Sequence, residues 1–256
     1  MRVVSLASGS RGNAYVVEHA GVALLIDCGL TVRTLRARVA ACGDLPPCPL
    51  GVLLTHAHGD HTAGLPRFLK CHPDLPVFAN AMTAEAVAHE FKIDESAFVC
   101  FENGQAFDVG PFSVLPFSIP HDTNDPVGYL VKADGVTYFH GTDIGTPLDS
   151  IGVRLAEADC ATLESNHDPV MLRQSGRPPC LVQRIAGPRG HLSNDQACEL
   201  VRRFASPRLK RLALAHLSRD CNSPLLAEAA MRETLAVLRR ADVALTVLSQ
   251  DEVVAL

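Results

Sequence analysis

The stretch LLTHAHGDHTAGL, residues 53–65, crowds His56, His58, Asp60 and His61 into six positions behind an apolar run. Imidazole nitrogens and carboxylate oxygens are donors for first-row transition metals. His56 and His58 lie two apart, so an extended chain projects them to the same side. Gly59 then turns the chain, and Asp60 and His61 follow the turn. Four donors from one loop overfill a catalytic zinc, which must leave a position open. Two ions sharing the loop remove the surplus, provided other segments supply further donors.

Three other apolar runs end in such a donor. His121 closes VLPFSIPH, Asp143 closes VTYFHGTD and His216 closes RLALAH. Any one of them alone reads as a cap or a satisfied histidine. As a set they predict strand ends gathered at one edge, bringing His56, His58, Asp60, His61, His121, Asp143 and His216 together.

The elements that must position them are legible around these residues. VVSLA, then YVVEHAGVALLIDCG with a turn at HAG, read as strands. TVRTLRARVAAC has a helical stripe behind a Thr31 cap. LGVLLTH reads as a buried strand, and AGLPRFLKC and MTAEAVAHEFK as helices. Short strands follow between 98 and 141, with a hairpin at ADGV. CATLES is strand-like, SNDQACELVRRF carries a Ser193/Gln196 capping box, and LKRLALAHLS is a strand. SPLLAEAAMRETLAVLRRA is a helix with Ser223 as cap and Pro224 in its first turn, and VALTVLSQDEVVAL supplies the last strands. Strands plus helices occur twice. The predicted fold is α+β, a four-layer αββα sandwich of two mixed β-sheets with helices on both outer faces. It is predicted as one domain over 1–256, with two similar halves meeting near 125–160.

Composition narrows the class. The 256 residues are 47% hydrophobic and contain no Trp, so the core is built mainly from Leu, Val and Ala. The opening VVSLASGS is too short and too soon broken for a signal peptide, and no run is long enough for a membrane span. The nine cysteines are single and unpaired in spacing, the pattern of reduced cytoplasmic thiols. The net charge of −5 is uneven: residues 1–168 hold 20 acids and 10 bases, whereas 169–219 hold 2 acids and 10 bases. A basic segment in an acidic chain either draws an anionic substrate to one face or is a solvated face.

The chain resembles the metallo-β-lactamase superfamily. THAHGDH matches its His-x-His-x-Asp-His motif, and the later donors fall in the family's order. SGSRGN, PHDTNDPVGY, TDIG, ESNHD, GHLSN and HLSRDCN narrow the resemblance to the WalJ/YycJ group, related to ribonuclease Z. The resemblance runs over essentially the whole chain. It implies one metal on His56, His58 and His121 and a second on Asp60, His61 and His216. Asp143 and a water or hydroxide nucleophile would bridge them. It implies two divalent ions, zinc by the nitrogen-rich donors or manganese as in nuclease relatives. It also implies Asp27 as a structural support for the loop. Iron relatives often carry Glu where His58 stands, so oxygen chemistry is disfavoured.

Metal-assisted in-line displacement suits a phosphodiester, whose leaving oxygen then needs a proton. By similarity to the ribonuclease Z-like relatives, Glu164 and His191 form a pair, His191 donating the proton and Glu164 orienting it. Arg173, Arg177, Arg184 and Arg189 precede His191 with no acid among them, and guanidinium groups suit phosphates. Ser10 and Asn13 in the SGSRGN loop, Arg219, Asn166 and His167 are further candidates for substrate contact. For the loop residues a plain turn is the alternative, and for Asn166 and His167 a plain strand end. His19, His72, His89 and His140 read as ordinary turn, helix or strand-end residues. The expected function is a dinuclear metal-dependent phosphodiesterase, an exonuclease-like nuclease on DNA or RNA without membrane attachment. The alternative is a hydrolase of a cyclic phosphodiester, thioester or lactone. A metal-binding scaffold is a third reading, but a scaffold needs neither an open site nor a proton donor.

Overall fold

The structure, a computed structural model, describes residues 1–256. It opens with β1 (Arg2–Ala7), β2 (Ala14–His19), β3 (Val22–Ile26) and α1 (Val32–Ala41). The metal-loop region follows as β4 (Val52–Leu53), α2 (Gly59–Thr62) and α3 (Leu65–Cys71). Next come β5 (Val77–Asn80), α4 (Ala81–Phe91), β6 (Phe98–Phe101), β7 (Phe107–Val109) and β8 (Phe112–Ser118). Then follow β9 (Val127–Ala133), β10 (Val136–Gly141), α5 (Asp149–Ala156) and β11 (Cys160–Glu164). The chain ends with α6 (Pro169–Gln174), α7 (Pro179–Ala186), α8 (Asn194–Phe204), β12 (Arg211–Ala215), α9 (Pro224–Val237), β13 (Ala244–Val247) and β14 (Val254–Ala255).

Two seven-stranded sheets form, in the orders β14-β1-β2-β3-β4-β5-β6 and β13-β12-β11-β10-β9-β8-β7. Both are mixed: β1, β2 and β3 pair antiparallel while β3 to β6 run parallel, and β7 to β10 pair antiparallel while β10 to β13 run parallel. Strands buried on both faces read as continuous apolar runs, which is why VALLI and CATLE carry little alternation. Tyr15, Leu24, Ile26 and Leu53 turn inward to meet Tyr129, Val131 and Tyr138 of the other sheet. Their neighbours Val16 and Leu25 turn outward, onto Leu35 of α1 and Phe68 of α3. On the opposite outer face, Leu163 and Leu212 pack with Ile151 of α5, Leu200 of α8 and Met231 of α9. This is the expected αββα layering, and each fully buried Leu in it contributes ~1.5–3 kcal/mol relative to exposure.

Local caps follow the sequence. Thr31 accepts from Thr34 N, Ser193 and Gln196 close a capping box, and Ser223 caps α9 with Pro224 in the first turn. The chain crosses from the first sheet to the second between Phe101 and Phe107, earlier than the 125–160 region where the sequence sets the meeting of halves. Helices α5, α6 and α7 are not anticipated from the pattern. Asp168 before Pro169 is a capped helix start, its Oδ1 accepting from Val170 N and Met171 N. The predicted strand LGVLLTH pairs regularly only at Val52 and Leu53. All nine cysteines are free thiols, and no helix is long and apolar enough to cross a membrane.

Candidate metal centre

The seven expected donors all lie just past strand ends at one edge of the two sheets. His56 and His58 follow β4, Asp60 and His61 sit on α2, and His121 follows β8. Asp143 follows β10 and His216 follows β12. Asp27, Asp143 and His216 have left-handed backbones, with φ of 59°, 59° and 55°. Outside glycine such a conformation costs about 1–3 kcal/mol, and it recurs where surrounding structure needs a side chain re-aimed. Here each kink comes within two residues of a strand's last residue.

The loop between His56 and His61 is held from beneath. Thr55 N and Thr55 Oγ1 donate to Asp27 Oδ1 at 2.9 and 3.0 Å, and His61 Nδ1 lies 2.7 Å from Asp27 Oδ2. Segments 12–13 and 27–30 then press against the loop. Asn13 N donates to Asp60 O at 2.7 Å, Cys28 N to His61 O at 2.7 Å, and Gly64 N to Cys28 O at 2.8 Å. This approach leaves no room for side chains at two positions. A Cβ on Gly29 would stand 1.8 Å from Asp60 O, and one on Gly64 1.9 Å from Leu30 O.

The donor atoms converge on two poles. At the first, His58 Nδ1 lies 3.1 Å from His56 Nε2 and 3.3 Å from His121 Nε2. At the second, Asp60 Oδ2 lies 3.5 Å from both His61 Nε2 and His216 Nε2. Asp143 stands between them, with Oδ2 3.2 Å from His61 Nε2, and Oδ1 3.6 Å from His216 Nε2 and 3.8 Å from His121 Nε2. Two nitrogens on a tetrahedral zinc at 2.0–2.1 Å are separated by about 3.3–3.4 Å, close to the spacings of the first pole. The buried atoms Asp143 Oδ2 and His216 Nε2 have no hydrogen-bond partner. A donor set with unpartnered buried polar atoms and ion-like spacing fits divalent metals.

The electrostatics agree. Burial works against charge on His61 and His216, yet Asp27, Asp143 and Asp60 hold His61 well above its usual range. Asp143, Asp60 and Glu164 raise His216 to about 10. Burial, with His61 as neighbour, lowers His56 far below its usual range, and burial also lowers His58. Without an ion, the buried carboxylates favour a proton on His61 and His216, the positive charge that a bound metal would otherwise supply.

A second constellation adjoins the first. Glu164 is fully buried at the end of β11. Its Oε2 accepts from Ile144 N at 2.8 Å and Leu192 N at 3.0 Å, while Oε1 lies 2.8 Å from His191 Nδ1 and 3.3 Å from His216 Nδ1. The His191 ring stacks on His216 at 5.3 Å. Burial opposes its protonation, but Glu164 overcomes this and raises its pKa. The same contacts with His191 and His216 bring Glu164 down to about 2 against the effect of burial.

The model of the beta-lactamase superfamily domain matches residues 23–216. Exodeoxyribonuclease WalJ of Streptococcus pneumoniae is 32% identical over 234 residues, covering 90% of this chain and 87% of that protein. Exodeoxyribonuclease YycJ of Bacillus anthracis is also 32% identical, over 90% of this chain and 87% of its own length. The chain belongs to the beta-lactamase superfamily. Within it the chain is a WalJ/YycJ-group member, a metal-dependent hydrolase. The fold is shared with zinc-bound PqqB from Methylobacterium extorquens, at a TM-score of 0.74 and 18% identity, with 99% of both chains covered.

The hydrolase centre opens into a cavity of about 270 Å³. His58, Asp60, His121, Asp143, His191 and His216 line it. Of the sequence candidates for substrate contact, Ser10, Asn166, Arg177 and Arg184 also line it. Arg177 and Arg184 flank and ride on α7, whose Leu181 and Ile185 add an apolar strip to the same wall. The other candidates do not reach the cavity. Arg173 and Arg189 are absent from its lining, and Arg219 turns instead to Asp251. Asn13 is buried beneath the loop, its Nδ2 3.3 Å from Asp60 Oδ2 and 3.1 Å from His61 Nε2. His167 is buried, and its backbone pairs with Ser193. Asn166 Nδ2 donates to His216 O at 2.7 Å, tying down the strand end that carries the donor. Sequence reasoning missed Asp122, Ser218 and Cys221, which also line the cavity. Only Asp122 carried a signal, as the carboxylate directly after His121. His140, read as an ordinary strand-end residue, is buried against Tyr15 and pushed down to about 3 by that burial.

Proposed function

We propose that the chain is a metal-dependent phosphodiesterase of nuclease type, acting at the ends of DNA or RNA. The observation that carries this reading is a two-pole donor cluster sharing one cavity with a Glu164–His191 pair and two arginines. Named relatives in the same group are exodeoxyribonucleases, which favours DNA. His56, His58 and His121 would hold one divalent ion, and Asp60, His61 and His216 a second, with Asp143 shared. Zinc suits the nitrogen-rich donors, and manganese is the other candidate. Bound divalent ions supply Lewis-acid activation of water and charge to offset the phosphodiester's own.

The rest is work for this chain's side chains. Arg177 and Arg184 receive the substrate's phosphates, and Leu181 and Ile185 exclude water beside them. His191, protonated and oriented by Glu164 through Nδ1, presents its other nitrogen as the proton donor to the leaving oxygen. Such a general acid is worth roughly 10²–10⁴ in rate. Asp27 and Asn13 keep the loop in place and take no part in proton transfer. The phosphate contacts are indifferent to sequence, so cleavage is expected to show little base preference.

A cavity of about 270 Å³ also suits a small ester, so a cyclic phosphodiester, thioester or lactone is the second reading. End-labelled single- and double-stranded DNA and RNA, assayed beside bis-p-nitrophenyl phosphate and small esters, separate the two. Stepwise shortening of the labelled nucleic acid is the expected result. Turnover of the small esters alone overturns the nuclease reading.

A further inference from the structure

In the proposed ligand set, each imidazole offers one nitrogen to a pole and has a neighbour for the other. His56 Nδ1 meets Thr55 Oγ1 at 2.9 Å, and Thr55 spends its own proton on Asp27. His61 Nδ1 meets Asp27, His121 Nδ1 donates to Gly190 O at 3.0 Å, and His216 Nδ1 faces Glu164. These partners hold the rings in orientation and set their basicity as ligands.

His58 is the exception in two respects. It turns Nδ1 to the pole, so Nε2 points outward, toward Asp122 Oδ1 at 3.7 Å. That distance is too long for a hydrogen bond. The carboxylate is held back by another partner: Asp122 Oδ2 accepts from Arg184 Nε at 2.5 Å. Arg184 is a cavity-lining residue on α7, and its side chain is 64% exposed. The other partners of the five imidazoles are buried in the protein, whereas Asp122 stands at the mouth with a side chain that is 24% exposed. The same Oδ1 lies 3.4 Å from His121 Nε2, so one carboxylate lies among two candidate ligands and a candidate phosphate receptor, and is engaged with the last.

We propose that Asp122 is a positioning residue for His58 whose grip is governed by Arg184, so that an anion taken up by Arg184 tightens the first metal pole. With Arg184 on Asp122, the carboxylate stands short of His58 Nε2. When a substrate phosphate replaces Asp122 on Arg184, the freed carboxylate closes on Nε2–H, orienting the ring and raising its donor strength. Linkage makes the effect reciprocal: a metal at this pole raises the affinity of Arg184 for phosphate by the same factor. Arg184 would then serve as a device that makes the site most competent when occupied. The inference rests on the ligand set proposed above and not on the substrate being nucleic acid.

The test reads metal affinity, independent of turnover. Zn²⁺ binding to the full chain is measured by competition with a chromophoric chelator for wild type, His58→Ala, Asp122→Asn, Arg184→Ala and the Asp122→Asn/Arg184→Ala double variant. His58→Ala identifies which equivalent belongs to the first pole. Asp122→Asn is expected to change that equivalent little in the anion-free protein, where Arg184 already holds the carboxylate off His58, and to weaken it roughly 5-fold in the Arg184→Ala background, leaving the other equivalent unchanged. Arg184→Ala removes no ligand and no ligand's neighbour, yet it is expected to tighten the same equivalent roughly 5-fold or more. In the double variant the effect of Arg184→Ala should vanish. An Arg184→Ala variant with unaltered zinc affinity, or additive effects in the double variant, overturns the inference while leaving the ligand set intact. If His58→Ala binds both equivalents normally, the ligand set itself fails and the inference with it.

Discussion

Glu164→Gln isolates the proton donor from the rest of the site. The substitution keeps shape and volume at a fully buried position. A glutamine oxygen can still accept from Ile144 N and Leu192 N, as Oε2 does now at 2.8 and 3.0 Å. The amide nitrogen then replaces Oε1, which lies 2.8 Å from His191 Nδ1. An N–H facing an N–H is not a hydrogen bond, so His191 must lose its proton there or turn away. A hydrogen bond to a charged group is worth about 1.5–3 kcal/mol, and 1.4 kcal/mol is a factor of ten, so turnover should fall roughly 10–150-fold. The loss should be large for DNA, whose leaving alkoxide needs a proton. It should be small for bis-p-nitrophenyl phosphate, whose leaving phenolate does not. Removing the carboxylate also lowers the pKa of His191, so the alkaline limb of the DNA profile should move to lower pH. Single-turnover cleavage of end-labelled DNA across pH, with bound metal measured in parallel, reads all of this. Equal losses on both substrates with normal metal content would refute the general-acid role. A loss explained by missing metal would assign Glu164 to His216 instead, which its Oε1 approaches at 3.3 Å.

Further outcomes follow from other parts of the site. In the metal-free protein His216 titrates near 10, above its unfolded value of about 6.5. A raised pKa gives stability that is fully present below pH 6.5 and lost as pH climbs through 10, so the metal-free melting temperature should fall across that window. A flat profile would contradict the protonated cluster. Gly64→Ala drives a methyl group toward Leu30 O and should destabilise the fold by several kcal/mol while lowering metal affinity, visible in paired melting and metal titrations. Arg177→Ala, at the cavity wall although paired with Asp220, should weaken DNA binding and reduce the slope of log K against log salt by about one, whereas Arg219→Ala, outside the cavity lining, should change neither.

The metal loop was legible because its chemistry is local: His56, His58, Asp60 and His61 stand in one short segment, and spacing alone raises the question of two ions. The distant donors were legible because each ends an apolar run, and strand ends meet where parallel strands stack. Glu164 and His191 depended on resemblance, since nothing in LESNHD or GHLSN states that the two touch. The arginines divide for a reason absent from the linear pattern. Segment 169–190 folds into α6 and α7, and a short helix turns only some of its residues to the cavity. Arg219 is claimed by Asp251, 32 residues later, a pairing that no local window contains. Asn13 reads as a candidate for substrate contact because SGSRGN is a glycine-bearing loop. It is instead buried against Asp60 and His61, where the loop needs a polar partner. Asp122 is one of two carboxylates in DTND, and its place directly after His121 does not single it out until the fold sets it beside His58 and Arg184.

A nuclease that works through two divalent ions on these donors should need both of them. Titrating the metal-free protein with zinc or manganese, while following cleavage of end-labelled DNA, tests ion count and activity together. Turnover should rise as bound metal approaches two equivalents per chain, and His61→Ala should stop the rise near one. Full DNA cleavage at one equivalent, or cleavage that persists without metal, would contradict a two-ion nuclease.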